Sequence, residues 1–238
     1  MNYPSIDLQG IKNPTKVAEL VIREEYKTIL QTLDSIPEIV SVAGEMANRI
    51  QDGSKVFCIG CGASGLVAKE MAGQLTELGV RAIPFTNDFS EAQPISFSKG
   101  FAEKDFGLSM YVASMVMPGD VVVGFSISGR TGFVVGALKL ARGRRALTVA
   151  VTLNKDSWIC EFADFVIQSY GLPEGPTATK TQISQLAIVH AIDLLLADEL
   201  AVNEKMCRRS MLEEEVSSKA MGDKGDEEIY RGTLFRGD

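Results

Sequence analysis

Apolar residues recur along this chain in two rhythms. From about Asn13 to Ile50 the spacing is helical. Val17, Leu20, Val21, Tyr26, Ile29 and Leu30 fall near one face, and Ile36, Ile39, Val40, Ala43 and Met46 continue it past Asp34-Ser35. This predicts two helices, the second capped by Asp34 or Ser35 with Pro37 in its first turn. After Gly53 the rhythm shortens. Val56 to Ile59, Val80 to Phe85, Val121 to Phe125, Ala146 to Thr152 and Phe165 to Gln168 read as buried strands. Helices fall between them: one carrying Leu66, Met71 and Leu75 and ending at Gly79, one over Leu108 to Met117, one from the Thr131 turn to about Ala141, and a short one over Asp156 to Phe162. Ile183 to Leu200 is apolar nearly all round, as a core helix is. Residues 1–12 read as an arm, 86–103 and 171–180 as loops, and the chain from Glu213 as a charged extension.

Strands alternating with helices imply an α/β fold, a three-layer doubly wound sandwich around a mainly parallel five-stranded sheet, preceded by N-terminal helices. The expected organisation is an arm and helices over 1–50, a ligand-binding domain over 51–205, and a helix and charged tail over 206–238.

Composition narrows the partners. A net charge of -7 on 238 residues argues against a nucleic-acid partner, which needs clustered Lys and Arg. It also means that any anion must be held locally, by backbone N–H groups, hydroxyls and a helix N-terminus. No secretory leader and no apolar run of membrane length is visible, so the expected location is the cytoplasm, with the four cysteines reduced.

Two strand-to-helix turns carry the candidate chemistry. The first is Gly60-Cys61-Gly62-Ala63-Ser64-Gly65 and the second is Ser126-Ile127-Ser128-Gly129-Arg130-Thr131. Both follow the carboxyl end of an expected strand, where open α/β sheets bind ligands. The first N–H groups of a helix have no backbone partner, and hydroxyls add donors without adding charge. An anion cradle follows from that chemistry. A dinucleotide site at the first turn is the alternative: Gly65 meets its spacing, but the next strand ends in Thr86-Asn87, with Asp88 the nearest acid. For the second turn the alternative is simple N-capping by Ser128.

Together the two turns resemble the sugar isomerase (SIS) domain family. Val56 to Lys69 looks like the matching segment of 6-phospho-3-hexuloisomerases, and Pro118-Gly119-Asp120 through Thr131 resembles the family's S-x-S-G-x-T signature; sedoheptulose-7-phosphate isomerases are also similar around Ser126. Gly175 to Lys180, with Gln185-Leu186, resembles the loop and helix that close the sugar site. The resemblance covers about residues 40–200. It implies a flavodoxin-like fold and a phosphorylated-sugar ligand. Ser64, Ser126, Ser128, Gly129 and Thr131 would sit on the phosphate; Gly62, Thr177, Thr179 and Lys180 would sit on the sugar. It further implies a homodimer or homotetramer with sites between subunits. No cofactor is expected, and no metal: the ligand positions of the heptulose-phosphate relatives fall on Glu70, Gln74 and Gln185, a set unsuited to zinc.

Aldose–ketose isomerisation needs a base near two adjacent carbons and a group to shuttle protons. Glu70 and Glu77 share a helix face, and Glu77 matches the place of the catalytic carboxylate in the isomerase domain of glucosamine-6-phosphate synthase. Glu174 is a second candidate base. His190, the single histidine, reads either as a hydrogen-bonded core residue or as the shuttle. Lys180 reads as a phosphate or ring-oxygen contact or as a surface lysine, and Cys58 as core packing. The expected activity is a phosphosugar isomerase working through an enediol. The alternatives are a lyase that cleaves an amino-sugar-phosphate ether, loosely suggested by Ile6-Asp7-Leu8 and the helices after it, and a non-catalytic phosphosugar-binding protein.

Overall fold

A computed structural model describes residues 13–87, 103–171 and 179–200. Two helices, α1 (Pro14–Gln31) and α2 (Ile36–Gln51), flank a 3-10 turn at Thr32–Ser35. The sheet comprises β1 (Val56–Cys61), β2 (Ala82–Asn87), β3 (Val121–Phe125), β4 (Leu147–Thr152) and β5 (Phe165–Gln168). Between the strands run α3 (Ala63–Glu77), α4 (Glu103–Met115) and α5 (Gly132–Gly143), with a 3-10 turn at Trp158–Phe162 before β5; α6 (Thr179–Glu199) follows β5. The strand order is β2-β1-β3-β4-β5, and every pair is parallel. This is the doubly wound α/β fold that the alternation of elements implies.

Because successive strand residues point to opposite faces, the sheet divides the core in two. Val56, Cys58, Val121, Val123, Val149 and Val151 face α2, α3 and α6. Phe57, Ile59, Val122 and Ala150 face α4 and α5. A side chain on Gly124 would meet Leu138 Cδ1 at 2.6 Å, so this bare position lets α5 lie close on the sheet. Cys58 belongs to the first layer, and burial pushes its thiol up, away from thiolate chemistry.

The amino ends of the two central strands are fastened by a buried carboxylate. Asp120 Oδ1 accepts the Lys55 amide at 2.8 Å, Oδ2 accepts the Met117 amide at 2.8 Å, and the Lys55 ammonium lies 3.5 Å away. Such charge-assisted bonds to backbone N–H are among the stronger ones available.

Three local expectations change. Ser35 precedes α2 but caps nothing with its side chain; its hydroxyl donates to the Gln168 carbonyl at 2.8 Å, tying α2 to the end of β5. Helix α4 begins at Glu103, five residues before the expected start, and α6 begins at Thr179, inside the expected loop. The apolar face of the first two helices is also wider than the molecule buries. Thr28, Thr32, Ser35, Ile39, Ala43 and Met46 turn inward, while Tyr26, Ile29, Leu30, Ile36 and Val40 are exposed. Small hydroxyl residues make the inner contact: Thr32 Oγ1 shares a hydrogen bond with Ser184 Oγ of α6 at 2.8 Å, and the same Ser184 oxygen accepts the Tyr170 amide at 2.9 Å.

Candidate active site

Strands β1 and β3 are neighbours in register, with Gly60 opposite Phe125. The chain leaves β1 toward β2 on one side and leaves β3 toward β4 on the other. The two glycine- and hydroxyl-rich turns therefore emerge side by side at the point where the winding reverses, the place such sheets use for ligands.

In the first turn Gly62 takes φ 58°, ψ -129°, a conformation that favours glycine, and α3 starts at Ala63 with no side chain capping it. A Cβ on Gly60 would run into the backbone of Ser64, and one on Gly65 would lie 3.2 Å from Thr86 Cβ. The glycine spacing that admits a dinucleotide reading thus serves to lay α3 against β1 and β2. Ser64 is buried, and its hydroxyl donates to Gln185 Oε1 at 3.2 Å; Gln185 Nε2 in turn reaches the Val151 carbonyl at 3.5 Å. Gln185, wholly buried, thereby links α6 to the first turn and to β4.

The second turn is arranged otherwise. The Ser126 amide donates to the Val151 carbonyl (3.1 Å) and the Gly129 amide to the Ser126 carbonyl (3.1 Å). The hydroxyls of Ser126 and Thr131 share a hydrogen bond of 2.9 Å. Ser128 is exposed, and its Oγ accepts the Arg130 amide at 3.3 Å. Gly129 has φ 63°, and a Cβ there would collide with Ser157. Thr131, not Ser128, is the residue before α5, and no side chain caps that helix. The simple capping reading of Ser128 is therefore set aside. The helix offers its first amides beside three hydroxyls, the arrangement that suits a phosphate ester. Arg130 is exposed.

Beside the first turn opens a cleft of about 530 Å³. It is lined by Glu25 of α1, Ala63, Leu66, Val67 and Glu70 of α3, and Gln182, Ile183, Leu186 and His190 of α6. Glu70 accepts a hydrogen bond from Gln74 Nε2 at 3.0 Å. His190 is exposed on the cleft, so the core-histidine reading is corrected: α6 buries Ile188, Val189, Ile192 and Leu196 and turns His190 outward. Glu77, two turns beyond Glu70, is exposed and is not part of the lining. Glu174 and Thr177 lie outside the described residues, and Thr179 and Lys180 open α6.

Two acids of this region escaped sequence reasoning. Glu25 sits on the first helix, where only the apolar face was read. Asp193 sits in the apolar stretch of α6, one turn past His190. Its Oδ1 is buried without a hydrogen-bond partner among the described residues. Burial foremost, then the charge of Glu77, pushes its carboxyl above the usual range; His190 pulls it down and Glu70 adds a little upward. Glu70, Glu77, His190 and Asp193 thus form one electrostatic group across α3 and α6.

Comparison with known proteins assigns the family. The chain belongs to the SIS domain family, whose pattern matches residues 23–152. The N-acetylmuramic acid 6-phosphate etherase of Symbiobacterium thermophilum is 30% identical over 221 residues, covering 80% of this chain and 70% of that one. The phosphoheptose isomerase of Aquifex aeolicus is 30% identical over 181 residues, covering 73% and 87%. Among solved structures, the phosphoheptose isomerase of Neisseria gonorrhoeae superposes with a TM-score of 0.63 at 21% identity, covering 78% of this chain and all of that one. The fold of this chain is that shared α/β fold, and its relatives act on phosphorylated sugars.

Proposed function

We propose that this SIS-domain protein is an enzyme that cleaves the ether of a phosphorylated amino sugar of the N-acetylmuramic acid 6-phosphate kind. This takes the lyase alternative in place of the isomerase as the first reading. The observation that carries it is the extent of the likeness. Similarity to the etherase covers 80% of the chain, against 73% for the isomerase of Aquifex aeolicus, and reaches past the 130 residues of the SIS match.

The phosphate sits on the amides that open α5 with Ser126, Ser128, Gly129 and Thr131, and the sugar extends past Gly62 into the cleft. Glu174, Thr177, Thr179 and Lys180 complete the sugar site, and the protein works as a homo-oligomer. Chemistry then needs one base and one acid near the sugar's first three carbons. Removing the C2 proton of the open-chain aldehyde sends its electron pair toward the C1 oxygen. From that enolate, whose C2 carries the acetamido group, the C3–O bond breaks, the leaving alkoxide takes a proton from the acid, and water adds across the new C2–C3 double bond. Glu70 of α3 and His190 of α6, both lining the cleft, are the base and the proton shuttle. Glu77 lies beyond the lining, and its charge acts on the carboxyl of Asp193.

Isomerisation shares the first step and differs in returning the proton to C1. The Aquifex relative keeps this as the second reading. One experiment separates the two. The full chain is incubated with N-acetylmuramic acid 6-phosphate and, separately, with unsubstituted aldose phosphates. Release of lactate from the first supports ether cleavage; aldose–ketose conversion without lactate release supports the isomerase; binding without turnover leaves a phosphosugar-binding protein. Glu70→Gln is expected to lower turnover by about 100-fold or more with little change in binding, and an unaltered rate removes Glu70 from the mechanism.

A further inference from the structure

The cleft has two ends, and helix direction assigns its lining to them. Helix α3 begins at Ala63 in the first turn, and Gln185, early in α6, meets Ser64 and the Val151 carbonyl there. At its other end α6 offers the Glu199 carbonyl to Gln51, which closes α2 just before β1, so α6 runs from the carboxyl edge of the sheet to the amino edge. Ala63 and Gln182 therefore line the end near the turns. Glu70 and His190 follow them by seven and eight residues and line the other end, about 10 Å away at 1.5 Å per residue. Leu66, Val67, Ile183 and Leu186 lie between. Helix α1 packs along α6 in the opposite sense, its last turn held beside the start of α6 by the Thr32–Ser184 hydrogen bond of 2.8 Å. Glu25 is seven residues before Thr32, and Ala191 is seven past Ser184, so Glu25 comes level with His190.

The geometry points to Glu25 as a substrate contact, a carboxylate that accepts hydrogen bonds from the end of the sugar remote from its phosphate. The donors are hydroxyls or, on an acylated amino sugar, the amide N–H. Two features single this residue out. The first is that its neighbours on α1 are matched and it is not. Arg23 pairs with Glu19 at 2.7 Å and Lys27 with Glu24 at 2.6 Å, whereas the Glu25 side chain has no hydrogen-bond or ionic partner among the described residues. A half-buried carboxylate gives up hydration, and nothing in the described chain compensates it. The second is its place. A ligand anchored by phosphate at the turns passes four apolar side chains before it reaches Glu25, and Glu70 at the same level already accepts from Gln74 Nε2. A carboxylate is acceptor only, a sugar is dense in donors, and charge-assisted bonds between them are strong. Such a contact acts on binding and ligand choice more than on the chemical step. The assignment rests on reading the cleft as a phosphosugar site, but not on which bond is broken there.

The experiment is calorimetric titration of the full chain with N-acetylglucosamine 6-phosphate and, separately, with inorganic phosphate. The proteins are the wild type, Glu25→Ala, the isosteric Glu25→Gln, and Glu24→Ala, which removes the paired neighbour outside the lining. Glu25→Ala is expected to weaken the sugar phosphate by about tenfold or more and inorganic phosphate by less than about twofold, with Glu25→Gln between it and the wild type. Glu24→Ala should bind both ligands as the wild type does. The melting temperature of Glu25→Ala should not fall, because the lost charge has no partner and alanine favours a helix. An unaltered sugar-phosphate affinity in Glu25→Ala overturns the assignment. So does an equal change for both ligands, which would make Glu25 a source of field alone, and so does a wild type that binds the sugar phosphate no better than phosphate. Failure of the proposed reaction looks different: no lactate is released, while sugar-phosphate binding still depends on Glu25.

Discussion

The turn after β1 and the turn after β3 leave adjacent strands at the same level of the sheet, and both are written in glycine, serine and small residues. Their hydroxyls go to different places. Ser64 points into the protein and is occupied by Gln185, while Gly60 and Gly65 are bare because helix backbone and Thr86 lie against them. Ser126 and Thr131 bond to each other, Ser128 stays exposed, and the helix behind them is uncapped. The first turn builds the wall of the cleft; the second offers donors. Motif likeness alone does not distinguish the two turns, whereas the partner of each hydroxyl does: Ser64 is tied to α6, and Ser126, equally buried, is tied only to Thr131 of its own turn.

The sharpest way to break that contrast is Gly60→Ala. The new methyl meets main chain that cannot move aside, so a loss of more than about 4 kcal/mol in chemical denaturation is expected; a loss under about 1 kcal/mol would mean that the turn is less closely packed than described. Next come Ser126→Ala and Thr131→Val. Each should weaken sugar-phosphate binding by roughly 1.5–3 kcal/mol, tenfold or more in a titration, and, because the two hydroxyls bond to each other and Ser126 is buried, each should also cost about 1 kcal/mol in stability. Ser64→Ala should show the opposite split: it strands a buried amide oxygen at a cost of about 1–3 kcal/mol in stability, with binding altered less than by Ser126→Ala. If Ser64→Ala reduced affinity more than stability, the assignment of the two turns would be reversed.

The smallest effect concerns the wall beyond the first turn. The carboxyl of Asp193 is held above its ordinary 3.8, so ionising it costs the folded chain. At pH values below the ordinary carboxylate range both folded and unfolded chains carry the proton and no penalty exists; as pH rises through the raised value the penalty develops. Asp193→Asn should therefore raise the Tm at pH 7.5 and lose that advantage near pH 4. An equal gain at both pH values would attribute the effect to something other than charge.

Much of this architecture can be read along the chain. The five apolar runs become the five strands, and β5 spans the expected residues, because a strand buried on both faces leaves an unbroken apolar signature. The two turns were legible because glycine and hydroxyl residues at strand ends have few other uses. What lay hidden depends on which side of a helix faces what. Tyr26 and Ile36 carry the same apolar signal as Ile39 and Met46, yet only the latter are covered by this chain. His190 and Asp193 were obscured by apolar neighbours in a helix with no dominant face. Gln185 could be read as a missing metal ligand but not as a bridge, since its two partners are 121 and 34 residues away.

Asp120 has a consequence for how such a protein can change over generations. By stitching the amino edges of β1 and β3 together, it anchors the sheet at the end remote from the cradle. Substitutions among the loops at the opposite rim then leave that anchorage untouched. A scaffold secured in this way is free to be retuned, one rim residue at a time, from one phosphorylated metabolite to the next without first coming apart.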